Sequence, residues 1–237
     1  LPPQERASPL TVPLPRRMGA VVSTEVDFDT VLALVCALFT LARVGTFLSL
    51  KPGDVRDVAG GKVRVLLSQL KGERRRQILD PVFERLAQGS GEFRPIWTHR
   101  GVVPLCPVEA FRLLRARASR SGAGNVAQCN SDKQLIRRLS SLCTRARIPQ
   151  HDPGRDRALF TAHSTRVAGV CYLLRGGVPE WVVSILANWS SDQVKRYANR
   201  LALDPSIVSP WVFFNPSANA MHVRPDAPPP KRQKTPR

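Results

Sequence analysis

Acidic residues are scarce in this chain of 237 residues: 18 Asp and Glu stand against 36 Lys and Arg, a formal charge of +18 at pH 7. That balance excludes a near-neutral cytosolic enzyme and implies a polyanionic partner, either nucleic acid or an anionic membrane surface. The basic residues run along the whole chain, so the charge is not the property of one tail. A ribosomal-type protein shares the trait, so charge selects a class of partner and no chemistry. Paired cysteines are missing too. Cys36, Cys106, Cys129, Cys143 and Cys171 form an odd set without C-x-x-C or Cys/His ligand spacing. They read as reduced thiols of an intracellular protein with no metal site, and Cys36 and Cys171 fall in apolar helical patterns that mark them as core. Aromatics are few: two Tyr and four Trp offer little to the stacking platforms of an RNA-binding structural protein. Long hydrophobic runs are absent. The stretch "VLALVCALFTLA" (31–42) ends after twelve residues at Arg43, where a membrane span needs ~20. It reads as a buried core helix, and no membrane partner is expected. The chain opens at Leu1 without Met or a signal-peptide pattern, which reads as a fragment or a processed piece of something longer.

What is present can build a core. Hydrophobic residues make up 43% of the chain, which suits one sizeable domain with tails or one domain plus a very small second one. Residues 1–27 are proline-rich and lack periodicity, so they are expected to be a flexible arm. Asp27 or Asp29 can cap a helix running through the apolar stretch to about Leu50. After the turn "KPGD" (51–54), "DVRDV" and "KVRVLLSQ" flank Ala59, Gly60 and Gly61 as a β-hairpin, and "RRRQIL" (74–79) can add a third strand after the turn "LKGE" (70–73). Residues 80–104 give no clear pattern. Amphipathic helices are expected over 106–119, starting at Pro107, and over 132–148, with a Gly/Asn/Ser loop between them. Val167, Val170, Cys171 and Leu174 space a further helix that Gly176 and Gly177 stop. Pro179 starts the next, and Ser190, Ser191 or Asp192 caps a last one carrying Val194, Tyr197, Ala198 and Leu201. Residues 206–237 form a C-terminal extension with a basic, Pro-rich tail. The expected class is α+β, mainly α: a multihelical domain with a small antiparallel β-sheet in its first half.

Cutting a DNA strand without a metal needs a specific set of groups. The non-bridging phosphate oxygens gain charge in the transition state, and guanidinium groups stabilise it because Arg stays protonated and binds bidentately. A tyrosine phenol, pKa ~10, is a competent nucleophile and a good leaving group in the reverse direction. A proton donor must meet the departing 5′ oxygen, and a base must assist the phenol.

The segment "AHSTRVAGVCYLLRGGVPEWVVSILANWSSDQVKRYANR" (162–200) resembles the C-terminal half of a tyrosine recombinase catalytic domain, in particular the branch found in eukaryotic mobile elements of the DIRS-like or crypton-like kind. The family's H-x-x-R matches His163 and Arg166, the glycine break matches Gly176 to Pro179, and the tyrosine-bearing end matches Trp189, Ser191, Asp192 and Tyr197. Upstream, "LARVGTFLSLKPGDV" (41–55) resembles the helix end with the first family arginine, at Arg43. "LLSQLKGERRRQ" (66–77) resembles the hairpin with the family lysine, at Lys71, and "PLCPVEAF" (104–111) resembles the segment after it. The resemblance covers about 28–205.

The resemblance implies that Tyr197 attacks the scissile phosphate and holds it as a 3′-phosphotyrosyl ester, that Arg43 and Arg166 clamp its oxygens, and that Lys71 protonates the 5′ leaving oxygen. His163 would act as base or hydrogen-bond the phosphate. No metal, ATP or small-molecule cofactor is implied. The partners would be double-stranded DNA and further copies of the chain, typically four, exchanging C-terminal segments; the apolar "PSIVSPWVFF" (205–214) suits such an exchange or folds back on its own core. The location would be nuclear in a eukaryote and nucleoid-associated otherwise. Departures exist. Thr46 stands where the family has Glu or Asp three residues after its first arginine, and Asn188 stands nine before the tyrosine where most members have His or Trp. Trp189, at eight before it, is the better match for packing and phosphate contact, with Asn188 as the alternative donor. Residues 1–27 are too few for the family's N-terminal DNA-clamping domain.

Each residue also has a plainer reading. Tyr197 lies on an apolar stripe and alone reads as core; its distance from H-x-x-R reverses that. His163 alone is a helix-start histidine, Arg166 one of many arginines, Trp189 a packing residue. Arg43 is less ordinary, since a charge directly after an apolar run needs a partner or an anion. Lys71 alone is a turn residue, with Lys62 and Lys51 as rivals. "KRQK" (231–234) reads as a nuclear-import patch or a solvated tail. The alternative function is a basic DNA-binding protein that kept the fold and lost activity.

Overall fold

The structure is a computed structural model that describes residues 9–71, 75–79, 81–85, 94–152, 155–175, 178–187 and 194. Of the predicted helix after 187, only Val194 is among them; Asn188, Trp189, Ser191, Asp192, Tyr197 and the tail 206–237 lie outside the described residues.

Helix α2 (Glu25–Thr40) runs through the middle of the domain and is buried at every position from Phe28 to Thr40. Its run from Val31 to Phe39 is apolar on all sides and can only sit inside, and α2 packs against α1 (Pro13–Gly19), α4 (Pro107–Ser121), α5 (Asp132–Arg145) and α6 (Ser164–Arg175). Its start differs from the expected Asp27 or Asp29 cap. Thr24 is the N-cap: its hydroxyl accepts from the Asp27 N–H, and the Asp27 carboxylate accepts from the Thr24 N–H, both at 3.1 Å. Its end differs as well. The helix stops at Thr40 instead of running to Leu50, because Leu41 adopts a left-handed conformation (φ 52°). The chain then restarts as the short helix α3 (Val44–Leu48), with Arg43 at its N-cap.

Residues 9–24 are not a flexible arm. Leu10, Val12, Met18 and Val22 are buried, and α1 packs against α2, α5 and β6 (Ile96–Thr98). Pro13 and Pro15 give this segment a linker-like composition without making it a linker. A proline in the first turn has no N–H to lose and presets the helical φ.

The sheet also differs in pairing. Strands β1 (Val55–Val58) and β2 (Lys62–Val65) form the expected hairpin, in register Val55↔Val65 to Val58↔Lys62. The predicted long second strand breaks at Leu66, whose N–H turns to the Asp54 carbonyl. β3 (Leu67–Lys71) then pairs with β4 (Arg75–Leu79) as a separate hairpin, in register Leu67↔Leu79 to Lys71↔Arg75. The third strand on β2 is β5 (Val82–Phe83), in the region without a readable pattern. That region also holds the hairpin of β6 with β7 (Gly101–Val103). A last small hairpin, β8 (His151–Asp152) with β9 (Arg155–Ala158), precedes α6.

The outer helices follow their sequence signals. α4 starts at Pro107 and ends on Gly122, left-handed at φ 66°. α5 is capped by Ser131, whose hydroxyl accepts from the Gln134 N–H at 3.2 Å. Arginines on both helices reach the start of α2. Arg117 bonds Asp29 and Glu25 and lies over the Phe28 ring at 4.7 Å, while Arg145 grips Asp27 through both of its terminal nitrogens. Helix α7 (Glu180–Ala187) follows Pro179 and packs on α6. All five cysteines are free thiols, and Cys36 and Cys171 are core residues as expected.

Candidate active site

The break after α2 sets the first corner of the site. A left-handed, buried leucine is a costly conformation, worth about 1–3 kcal/mol of strain. Surrounding packing holds it, and the result is a sharp turn that delivers Arg43 at the mouth of α3 with its side chain half-buried. Arg43 makes no side-chain cap bond there; its carbonyl accepts from the Phe47 N–H at 3.0 Å, so the guanidinium is not spent on the helix end.

The second corner is the first turn of α6. Thr161 organises it: its hydroxyl accepts from the His163 N–H at 3.2 Å, and its own N–H donates to the Ser164 hydroxyl at 3.0 Å. His163 precedes the helix and lies at the surface, and its carbonyl accepts from the Val167 N–H. Arg166, one turn on, is 1% exposed. Such burial is uncommon for a group that cannot shed its proton.

Close packing joins the two corners. Gly169 on α6 sits against the Leu38 carbonyl and the Leu41 side chain, with no room for a Cβ. The helix bearing Arg166 is thereby pressed against the end of α2, where Arg43 follows. The electrostatics of His163 record the outcome. Its pKa lies below the ordinary imidazole value, first because part of the ring is buried, then because the positive charges of Arg166 and Arg43 act on it. Two arginines 123 positions apart in sequence thus lie near enough for their charges to act on one imidazole.

Lys71 is the last residue of β3, opposite Arg75, and β3 packs against α3, the helix that Arg43 begins. The backbone therefore brings the lysine strand to the site. Of the rivals, Lys62 is held in an ion pair with Glu84. Lys51 is exposed beside the turn at Pro52. Thr46 is half-buried on α3, and its carbonyl accepts from the Ser49 hydroxyl at 2.8 Å. Trp189 and Tyr197 lie outside the described residues. The chain has two tyrosines, and the other, Tyr172, is 1% exposed with its hydroxyl accepting from the Val12 N–H at 2.8 Å. It is a structural tyrosine and no rival for a nucleophile. Among the described residues no group of His, Cys, Asp and Glu is arranged to hold a metal ion. No described helix is long and apolar enough to cross a membrane.

No family model and no curated protein matches the sequence. Solved structures do resemble it in shape. The chain is similar to the XerH site-specific recombinase bound to its difH substrate in a pre-cleavage complex, with TM-score 0.54, 15% identity, and 86% of this chain and 53% of that one covered. It is similar to the same recombinase on a palindromic difH substrate in a post-cleavage complex, with TM-score 0.52, 12% identity, and 83% and 50% covered. It is also similar to a lambda integrase dimer bound to a COC′ core site, with TM-score 0.53, 16% identity, and 83% and 49% covered. The fold is that of the tyrosine recombinase catalytic domain. The chain spans about half the length of these structures. At such low identity the likeness to the recombinases establishes the mainly helical architecture with its antiparallel sheet in the first half, and no residue's role.

Sequence reasoning missed Leu41, Gly169 and Tyr172. Gly169 had a signal: a glycine in the interior of a predicted helix has a packing reason more often than not. Leu41 had none, because leucine has no preference for a left-handed turn.

Proposed function

We propose that this chain is the catalytic domain of a site-specific DNA recombinase or integrase that cleaves and rejoins strands through a 3′-phosphotyrosyl bond. The observation that carries this is that the positive charges of Arg166 and Arg43 both act on His163 in a domain of this fold. Two guanidinium groups and an imidazole suit the oxygens of a phosphodiester, and a chain with 36 basic residues suits the rest of the duplex. In this reading Tyr197 is the nucleophile, Arg43 and Arg166 clamp the phosphate, Lys71 protonates the 5′ oxygen, His163 serves as base or hydrogen-bond donor, and Trp189 packs on the phosphate. Assembly on DNA as a homo-oligomer, service to a mobile element of the DIRS-like or crypton-like kind, and nuclear import through "KRQK" belong to the same proposal.

The test is a suicide DNA substrate. It should yield a covalent protein–DNA adduct that survives denaturation, formed at Tyr197 and absent in Tyr197→Phe. Arg43→Ala or Arg166→Ala should slow it by about 10²–10³-fold. Thr46, uncharged where related enzymes carry an acid, favours a second reading: a DNA-binding protein that keeps the fold without cleavage. Tight DNA binding with no adduct from any residue would select it.

A further inference from the structure

We infer that Tyr172 is a positioning residue for the Arg43–His163–Arg166 site, acting through the segment 10–12 that it anchors along α6. The inference rests on the reading of that site as the phosphate-binding centre.

Two bonds span more than 150 residues. The Leu10 N–H donates to the Ser164 carbonyl at 3.0 Å, and the Val12 N–H donates to the Tyr172 hydroxyl at 2.8 Å. Along α6 these anchors bracket Arg166, one before it and one after. Leu10, Val12, Ser164 and Tyr172 are all buried, so water does not stand in for a lost acceptor. The Tyr172 hydroxyl is the acceptor that Val12 uses.

The far end of the segment is fastened elsewhere. In the last turn of α1, Arg17 donates to the Ala146 and Arg147 carbonyls at the end of α5, at 3.2 and 3.0 Å, and Met18 and Val22 are buried beneath. The segment is thus a strap drawn from the end of α5 to the first turn of α6. Ser164 is where it meets the site. Its carbonyl takes Leu10, while its hydroxyl takes the Thr161 N–H that shapes the turn carrying His163. Releasing the strap lets that turn move relative to Arg43, which belongs to another element.

The experiment uses the full chain with Tyr172→Phe and Val12→Pro, singly and combined. Tyr172→Phe deletes the acceptor. Val12→Pro deletes the donor at a backbone φ of −50° that suits proline. The His163 pKa is followed by NMR without DNA, adduct formation is timed on the suicide substrate, and urea unfolding confirms folding. The expected result is an upward shift of the His163 pKa in each single variant, as the charge of Arg43 acts on it less. Adduct formation should slow by about tenfold. On the His163 pKa the double variant should be no worse than either single one, since both break the Val12–Tyr172 bond. Folded variants with the wild-type His163 pKa, or effects that add in the double variant, overturn the inference. If Tyr172→Phe fails to fold, Val12→Pro still decides between these outcomes. If wild type forms no adduct but the variants still move the His163 pKa, the strap stands and the recombinase reading falls.

Discussion

Gly169 of α6 and Leu38 of α2 touch through backbone: a Cβ at 169 would collide with the Leu38 carbonyl oxygen and with the Leu41 side chain. This contact decides how close the helix of Arg166 comes to the turn of Arg43. In an isolated helix Gly→Ala stabilises by about 1 kcal/mol. Here the obstacle is backbone that cannot rotate away, and overpacking costs about 1–3 kcal/mol. Gly169→Ala should therefore lower the urea midpoint, with a rise in the His163 pKa as Arg43 retreats. An unchanged or higher midpoint would show that the helices part freely.

Arg117 and Arg112 make ion pairs that should differ in value. Arg117 pairs with Asp29, a carboxylate 7% exposed, and removing its partner strands a buried charge. Arg117→Ala should cost about 3–5 kcal/mol. Arg112 pairs with Asp57 at an exposed site where Arg115 also serves. Arg112→Ala should cost under about 1 kcal/mol. Chemical denaturation of the two variants side by side tests the ranking.

Acid should unfold this domain partly through Asp27. Burial pushes its pKa up, but hydrogen bonds from Arg145, Ser23 and Thr24 outweigh burial and hold the carboxyl well below the usual range. A folded pKa below the unfolded one means that the unfolded chain takes up the proton first. The stabilisation is complete above the unfolded value of roughly 4 and is lost as pH falls through the folded value. Stability measured from pH 6 to 2 should fall more steeply for wild type than for Asp27→Asn.

His163 also carries a depressed pKa, here in a group that gains charge on protonation. The unfolded chain binds a proton first as pH drops, and stability declines below roughly pH 6.5. An anion between Arg43 and Arg166 should cancel their repulsion and raise the His163 pKa. NMR titration with inorganic phosphate, and then with a duplex oligonucleotide, should show that rise. No rise with either would mean that the three groups do not share one anion.

DNA affinity should fall steeply with salt, because many Lys and Arg displace counterions from the duplex. Sequence preference should be weak for this chain. Binding titrations at several salt concentrations on specific and random duplexes measure both, and a preference of orders of magnitude at physiological salt would contradict the expectation.

Much of the fold is legible from local signals. Pro107 and Gly122 bound α4, Ser131 caps α5, and the spacing of Val167, Val170 and Cys171 marks α6. These signals work because caps and periodicity act within a turn or two of helix. Pairing of β4 was not legible, since "RRQIL" can sit beside either neighbouring strand and the bend at Leu66 chooses. Residues 9–24 hid their order because a seven-residue helix is too short to show a period, and its stability comes from the core it covers. At the site, the residue types of His163 and Arg166 and their spacing stood in the sequence and the resemblance grouped Arg43 with them, whereas the left-handed turn at Leu41 that delivers Arg43 had no local trace.

The amino-acid order alone determined the charge of the chain, the helices α4 to α7, the central place of an α2 that is apolar from Val31 to Phe39, and the identity of the side chains suited to a phosphate. Tertiary structure alone decided that α2 stops at Thr40, that the N-terminal segment straps α6, and that the turn before Arg43 lies against the helix of Arg166. The division has one physical cause. Propensity and capping are energies between near neighbours in the chain, while a left-handed Leu41, a Cβ-free crossing at Gly169 and two positive charges acting on one imidazole are unfavourable locally and persist only through the packing of distant segments around them.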